Sequence, residues 1–217
     1  MKTIITIGRQ YGSAGHSIGK ILADDLGIKY YDKELLERAA KDSGLCQELF
    51  ENHDEKPTNS FLYSLVMDSY SFGYGSTMMD MPLNQKVFLA QFDAIKKISQ
   101  DGPCVIVGRC ADMILEDSVN IFIYSKMKQR VKRLMELEPE EGANEKDMEM
   151  KIRAVDRKRR DYYQYYTGNT WGRAQNYHLC VDSSLVGVDG CLRAALAYLE
   201  DVCKDEEKPE ESGNAAV

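Results

Sequence analysis

The chain has 217 residues, of which 43% are hydrophobic and 29% are charged, a balance typical of a folded globular protein. This composition excludes a fibrous protein, a small disulfide-stabilised scaffold and a wholly disordered chain. The net charge of −7 argues against a general nucleic-acid-binding protein, which would be basic. The six cysteines form no CxxC pair, and no stretch approaches the ~20 apolar residues that a membrane span needs. We therefore expect a cytoplasmic protein that binds neither nucleic acid nor membrane.

The chain begins with the pattern of a strand, a glycine-rich turn and a helix. The β-branched run 3–7 predicts a buried parallel strand. Apolar residues at helical spacing over 18–26 predict a helix, with Gly27 as its C-cap. The short apolar stretch 28–31 predicts a second strand, after which Asp32 can begin another helix as its N-cap.

The middle of the chain predicts a helical insertion over about residues 44–100. Apolar residues recur at helical spacing in 60–70 and 84–99. Between these segments, residues 69–81 are rich in Gly, Ser, Tyr and Met, which indicates a mobile loop.

The rest of the chain alternates between strand and helix patterns. Strands are predicted at 104–108, 119–124 and 179–182, and helices at 126–137, 145–166 and around 192–199. Residues 204–217 are acidic and poor in apolar side chains, so we expect a disordered tail after a single domain spanning 1–203. Strands alternating with helices predict an α/β fold with three layers and a parallel sheet.

Ligands of such sheets bind at the carboxyl ends of the strands. Three of the predicted strands end at Gly8-Arg9, at Asp32 and at Gly108-Arg109. This convergence is the main functional signal in the sequence.

A candidate phosphate loop lies between the first strand and the first helix. It consists of Gly12, Ser13, Ala14, Gly15, His16 and Ser17. Backbone N–H groups at such a junction favour an anion. Compared with the pattern G-x-x-x-x-G-K-[ST], Gln10 stands at the first glycine and His16 at the lysine. Ser17 would place a hydroxyl on Mg²⁺. The alternatives are a helix entry without a ligand and a serine that only caps the helix.

The sequence resembles the cytidylate kinase-like family of P-loop proteins in four segments: Ile5 to Gly15, Tyr31-Asp32, Val107-Gly108-Arg109 and Asp156 to Arg160. The resemblance covers about residues 3–200. It implies a P-loop NTPase fold with a parallel five-stranded sheet, a helical insertion and an arginine-bearing helical lid over about 140–170. It also implies that ATP and Mg²⁺ are used.

The resemblance implies roles for individual residues. Arg109 matches the arginine that binds the acceptor phosphate, and Asp32 matches an aspartate near the acceptor. Asp156 and Arg159 match a D-x-x-R motif that reads cytosine and its phosphate. The further cations expected at the transferred phosphate are Arg153, Arg157, Arg160 and His16.

Each of these roles has a structural alternative. Arg109 could form an ion pair, Asp32 could cap a helix, and the cations of 153–160 could be a solvated helix face. For Tyr162, Tyr163, Tyr165 and Tyr166 we expect packing of the lid helix rather than stacking on a base. Two departures from cytidylate kinases are His16, in place of a lysine, and Cys110, in place of an aspartate.

The sequence therefore predicts ATP-dependent phosphoryl transfer to a small acceptor, a nucleoside monophosphate such as CMP. Two alternatives stay open: a kinase for a different small acceptor, and a nucleotide-binding regulatory or interaction module without turnover. A nucleic-acid binder that uses the cations of 153–160 is disfavoured by the net charge.

Overall fold

The computed structural model describes residues 4–43, 83–137, 139 and 144–206. Its strands are β1 (Ile4–Arg9), β2 (Lys29–Tyr31), β3 (Cys104–Val107), β4 (Ser118–Tyr124) and β5 (Leu179–Asp182). They form one five-stranded sheet in the order β2-β3-β1-β4-β5, and every neighbouring pair is parallel. The parallel sheet predicted from the alternating pattern is confirmed.

Helices connect the strands and cover both faces of the sheet. They are α1 (Gly15–Leu26), α2 (Lys33–Ser43), α3 (Leu83–Gln100), α4 (Ala111–Ile114), α5 (Met127–Leu137), α6 (Glu145–Thr167) and α7 (Ser183–Glu206). A short 3₁₀ turn, Ala174–Asn176, precedes β5. No helix in the described part of the chain combines the length and apolar character needed to cross a membrane.

The alternation of side chains in β3 divides the core into two layers. Val105 and Val107 pack with α1 and α7, whereas Cys104 and Ile106 pack with α3, α4 and the end of α6. All four side chains are buried, because a central parallel strand has a helix layer on each face. The apolar runs that predicted strands are thus the runs that fill both layers.

Some helix ends agree with the sequence prediction and others do not. Gly27 caps α1 as predicted, with φ 63° and its N–H directed at the carbonyls of Ala23 and Asp24. The last helix continues to Glu206, three residues into the segment predicted to be a disordered tail. Lys204 lies in its last turn, where a cation is favourable, and its Nζ is 3.0 Å from Asp201. The short helix α4 was not predicted.

Several predictions fall on residues that the structure does not describe. The predicted helix at 60–70 and loop at 69–81 lie outside the described residues, as do 140–143 of the predicted lid and 207–217 of the tail. The predicted helix at 84–99 is α3.

Candidate functional site

The loop between β1 and α1 is held by its own buried side chain. Ser13 is buried, and its hydroxyl lies 2.8 Å from the carbonyl oxygen of Gln10 and 3.0 Å from that of Ile123. The Ser183 hydroxyl donates to the Ser13 carbonyl at 2.7 Å. Since the Ser13 side chain points into the protein, the loop can offer a ligand only backbone groups at this position.

Two glycines allow this backbone to pack closely. Gly12 has φ 75°, and a Cβ there would lie 2.9 Å from a methyl carbon of Leu134. A Cβ on Gly15 would lie only 2.4 Å from the Cβ of Arg9. The first N–H groups of α1, which follow Gly15, have no partner within the helix and carry its positive dipole end. The loop therefore has the geometry of an anion site.

A cleft of about 390 Å³ lies in front of this loop. Three arginines line it, Arg9, Arg133 and Arg159, against a single carboxylate, Asp32. Arg133 Nη1 donates to the Gly12 carbonyl at 2.8 Å. Arg159 donates to the Arg9 carbonyl at 3.4 Å, and its guanidinium lies 5.7 Å from the ring centroid of Tyr11. The cleft is thus cationic on a protein whose net charge is −7.

Arg133 is a candidate site residue that the sequence analysis missed. It lies on α5, one helical turn after Arg130; Arg133 reaches Gly12 of the phosphate loop, and Arg130 reaches Tyr11, the residue before it. Two arginines at i, i+3 spacing share one helix face. That spacing, in the helix that follows β4, was the available signal.

His16 and Arg109 meet at the carboxylate of Asp32. Arg109 Nη1 lies 2.9 Å from Asp32 Oδ1, and His16 Nε2 lies 3.3 Å from Asp32 Oδ2. Burial alone would raise the pKa of Asp32, but the positive charges of Arg109, Arg9 and His16 outweigh it, so this pKa is lowered. Asp32 is therefore a stable anion that links the loop helix α1 to the end of β3.

The chain after β3 adopts an unusual backbone conformation. Gly108, Arg109 and Cys110 have φ values of 78°, 55° and 57°. A left-handed conformation costs a residue with a side chain ~1–2 kcal/mol, so the fold holds Arg109 and Cys110 there against a preference. The turn returns the Arg109 side chain to the sheet edge, where Nη1 also donates to the Val107 carbonyl at 3.1 Å.

Asp156 lies beside the phosphate loop. Its carboxylate accepts a hydrogen bond from the Tyr11 backbone N–H at 2.8 Å and pairs with Arg130 Nη1 at 2.5 Å. The same Arg130 nitrogen lies 3.3 Å from the Tyr11 carbonyl oxygen. Asp156 thus joins α6, α5 and the loop, and the base-reading role that the resemblance implies for it stays a prediction.

The other predicted lid cations are spread over exposed parts of α6. Arg153 pairs with Glu149 one turn earlier, with Nε 3.0 Å from Glu149 Oε1. Arg160 Nε lies 3.8 Å from Asp161, and Arg157 is exposed. Of the predicted cations on α6, only Arg159 lines the cleft.

The end of α6 is firmly packed. Tyr162, Tyr163 and Tyr166 are buried in the core layer that contains α3. Tyr166 stacks on Phe88 with ring centroids 3.7 Å apart. The prediction that these tyrosines pack the helix is confirmed.

The oxygen ligands at the cleft fit a magnesium ion that is held mainly by nucleotide phosphates. Ser17 is exposed in the first turn of α1 and lines the cleft with Asp32. Within the described ranges, no group of three or more His, Cys, Asp or Glu side chains could hold a metal. Mg²⁺ in kinases typically takes few protein ligands and several phosphate or water oxygens. The residues present therefore suit that arrangement.

Comparison with known proteins gives consistent results. The sequence model of the cytidylate kinase-like family matches residues 4–185. A crystal structure of an uncharacterised protein from Eubacterium ventriosum aligns with a TM-score of 0.67 at 28% identity, covering 91% of this chain and 98% of that one. Shikimate kinase from Bacteroides thetaiotaomicron aligns with a TM-score of 0.51 at 12% identity, again over 91% and 98%. No curated protein matches the sequence significantly. The fold is that of the P-loop kinases.

Proposed function

The chain belongs to the cytidylate kinase-like family, and from this premise we propose that it transfers the γ-phosphoryl group of ATP to a small acceptor, a nucleoside monophosphate such as CMP. In this reaction the bond from the γ-phosphorus to its bridging oxygen breaks, and an acceptor phosphate oxygen forms the new bond, leaving ADP. The observation that carries the proposal is the cleft in which three arginines surround the start of α1.

The cleft offers two kinds of groups for the phosphates of ATP. The backbone N–H groups at the start of α1 supply directed hydrogen bonds to phosphate oxygens. Arg133 and Arg159, fixed at the loop by bonds to the Gly12 and Arg9 carbonyls, supply positive charge beside them. Catalysis of phosphoryl transfer consists mainly of positioning and charge stabilisation, which these groups provide. Mg²⁺ held by Ser17 would neutralise further charge on the phosphates.

The acceptor side is built around Arg109. A guanidinium binds phosphate oxygens in a forked, bidentate geometry. The ion pair with Asp32 and the bond to the Val107 carbonyl fix the position of Arg109 at the carboxyl end of β3. This is the edge of the sheet on which the phosphate loop lies, as in-line transfer requires.

The test is an assay of ADP release from ATP and Mg²⁺ with each nucleoside monophosphate in turn. The variant Arg133→Ala should lower kcat/KM for ATP by about 10- to 100-fold, because a hydrogen bond from a charged group contributes ~1.5–3 kcal/mol. Lys132→Ala is the matched control, since it removes the neighbouring exposed cation, which lines a different groove. Equal effects of the two substitutions would contradict the role of Arg133.

A nucleotide-binding module without turnover is the second candidate function. One observation favours it: His16 stands where the phosphate-loop pattern has a lysine, and its Nε2 lies 3.3 Å from the Asp32 carboxylate. Calorimetric titration with ATP separates the two functions. Binding of ATP with no release of ADP in the presence of any acceptor would support the module. Turnover with one acceptor would exclude it.

A kinase for a different small acceptor remains the third possibility. Turnover in the presence of another phosphate or hydroxyl compound, with none for the nucleoside monophosphates, would support it. The variant His16→Lys adds a useful comparison, because a gain in turnover would identify the histidine as the feature that limits catalysis.

A further inference from the structure

A second pocket lies at the carboxyl ends of β4 and β5, beside the phosphate cleft. Its volume is about 320 Å³, near the lower end of the ~300–1,000 Å³ range of small-molecule sites. Among the described residues that line it, only Gln10 also lines the cleft. The pocket is therefore a distinct space that borders the phosphate loop.

Two neighbouring strands form the floor of this pocket. The alternation of side chains in β4 places Phe122 and Tyr124 on one face, away from Ile121 and Ile123, which pack with α1 and α7. Cys180 of β5 pairs in register with Phe122, so its side chain lies on the same face. No α-helix in the described part of the chain lines the pocket. This corner of the sheet is covered by the segment 171–174 instead.

That segment is held in place by local contacts. Asn176 Nδ2 donates to the Thr170 carbonyl at 2.8 Å. Gly172 has φ 73°, and a Cβ there would lie 3.1 Å from the ring of Phe122, so a glycine lets the segment approach β4 closely. The Trp171 ring meets the Phe122 ring edge-on, with centroids 5.4 Å apart. The packing of the protein itself thus forms the pocket.

The walls combine aromatic rings with neutral hydrogen-bonding groups. The rings of Phe122, Tyr124 and Trp171 favour a flat aromatic partner, which packs against them edge-on or offset. Gln10 Oε1 accepts a hydrogen bond from the Ser125 backbone N–H at 3.1 Å, which fixes the orientation of the amide and leaves Nε2 to donate. Within the described residues, neither Gln10 Nε2 nor the Tyr124 hydroxyl has a hydrogen-bond partner. A ligand with a carbonyl oxygen or a ring nitrogen can satisfy the amide.

The pocket differs from the phosphate cleft in its charge. Arg9, Arg133 and Arg159 line the cleft, whereas no charged side chain of the described residues lines the pocket. Burial raises the pKa of the Cys180 thiol above its usual range, so this group is neutral as well. An anion such as a phosphate would lose its hydration there without gaining a cation. The occupant that these walls suit is therefore uncharged.

We propose that this pocket binds an uncharged planar heterocycle, of the class that includes free nucleobases, as a ligand separate from the nucleotide at the phosphate loop. The ring packs against Trp171 and Tyr124, and its carbonyl oxygen or ring nitrogen accepts a hydrogen bond from Gln10 Nε2. Binding requires neither ATP nor an acceptor, so it goes beyond the proposed phosphoryl transfer and can be measured without it.

Trp171 is the single tryptophan of the chain, so its fluorescence reports occupancy of the pocket. Titration with uracil and with hypoxanthine should give a saturable change, with a dissociation constant at or below ~1 mM for at least one of them. Trp171 also lines a cavity of about 20 Å³, but that space is too small for a ring. The absence of a saturable change with either compound up to about 10 mM would overturn the proposal.

Variants at the wall locate the binding site. Ala174 is an exposed wall residue, so Ala174→Leu fills the pocket without disturbing the core and should weaken binding by about 10-fold or more. Gln175→Leu is the matched control, because it adds the same side chain at the next exposed position, which does not line the pocket. Gln10→Glu keeps the acceptor for Ser125 but removes the donor, and should weaken binding by about 2- to 10-fold. A native affinity in Ala174→Leu would overturn the location, and a native affinity in Gln10→Glu would overturn the hydrogen bond.

Alkylation of cysteine tests the same site without a substitution. Cys180 is a half-buried wall residue, and Cys203, which is also half-buried, lies in α7 outside the pocket. Labelling with iodoacetamide is followed by peptide mass spectrometry. Uracil or hypoxanthine at about ten times its dissociation constant should slow the labelling of Cys180 about 10-fold and leave that of Cys203 unchanged. Equal protection of both cysteines, or protection of neither, would overturn the location.

Saturating ATP and Mg²⁺ distinguish a separate ligand from the base of a bound nucleotide. The dissociation constant of the heterocycle should stay within about two-fold of its value without ATP. An apparent dissociation constant that rises in proportion to the ATP concentration would show competition and would overturn the proposal of a separate ligand. Failure of ADP release with every acceptor, while uracil or hypoxanthine still binds, would overturn only the proposed function.

Discussion

Replacement of Asp156 by alanine separates the role that the structure suggests from the role that the resemblance implies. The carboxylate of Asp156 pairs with Arg130, and both side chains are largely buried, with 16% and 7% of their surface exposed. Removal of the Asp156 carboxylate leaves the Arg130 guanidinium buried without a counter-charge, which lowers the free energy of unfolding by ~3–5 kcal/mol. Arg130 Nε lacks a hydrogen-bond partner among the described residues, so no bond at this atom compensates for the lost ion pair.

This free energy can be converted into a change in melting temperature. For a domain of 150–250 residues, 1 kcal/mol corresponds to about 2–4 °C. We therefore expect Asp156→Ala to lower the melting temperature by about 6–20 °C in a calorimetric scan. Asp161→Ala is the control, because Asp161 is half exposed and its contact with Arg160 is 3.8 Å long, so its change should be small.

A double variant tests the physical reason. When Arg130→Met accompanies Asp156→Ala, no unpaired charge remains, and replacing a buried ion pair by apolar groups is often close to neutral. The double variant should thus be more stable than Asp156→Ala alone. Stability of the double variant at or below that of the single one would contradict the explanation by an orphaned charge.

The kinetic consequence completes this prediction. Because Asp156 holds the backbone of Tyr11, its loss should raise KM for ATP rather than KM for the acceptor. A melting temperature within about 2 °C of the native value, together with a rise in the acceptor KM alone, would refute this reasoning. That result would instead support the base-reading role that the D-x-x-R resemblance implies.

Three further substitutions test other parts of the site. Gly15→Ala places a Cβ 2.4 Å from the Cβ of Arg9, so it should lower the free energy of unfolding by ~1–3 kcal/mol. It should also weaken ATP binding in calorimetric titration, and unchanged binding would show that the loop can relax. Arg109→Ala should lower kcat/KM for the acceptor by about 10- to 100-fold, whereas unaltered acceptor kinetics in a folded variant would make Arg109 structural. The positive charges around Asp32 lower the pKa of its carboxyl despite burial. The ionised carboxylate therefore stabilises the fold fully above about pH 4. This contribution is lost as the pH falls through the lowered pKa. Urea unfolding from pH 6 downward should consequently show a steeper loss in the native protein than in Asp32→Asn.

The sheet was predictable because its signals are local. A run such as 104–107 is apolar throughout, and only a strand covered on both faces buries every one of its side chains. The glycines at 27 and 108 mark where the chain must turn, and both have a positive φ. Local composition thus indicates the strands of the sheet, and the right-handed crossover rule restricts how parallel strands can be connected.

The partners of the charged side chains were not predictable in the same way. The bond from Tyr11 to Asp156 spans 145 residues, and that from Arg133 to Gly12 spans 121. The sequence marks these positions as charged, but only the packing of α5 and α6 against the loop decides which charges meet. For this reason the cations of 153–160 form one group in the sequence, whereas in the structure only Arg159 lines the cleft.

The same comparison suggests how an acidic chain presents a cationic cleft to an anionic substrate. Two arginines, Arg130 and Arg109, are buried and paired with Asp156 and Asp32, so their charges are largely compensated within the protein. Arg9, Arg133 and Arg159 line the cleft, where low-dielectric walls concentrate their field on the ligand. A positive cleft of this kind attracts a polyanion irrespective of the net charge of the chain. The cleft faces the start of α1, so its arginines can provide the positive charge that a phosphate-loop lysine would otherwise supply. A histidine at residue 16, in place of that lysine, is therefore compatible with phosphoryl transfer.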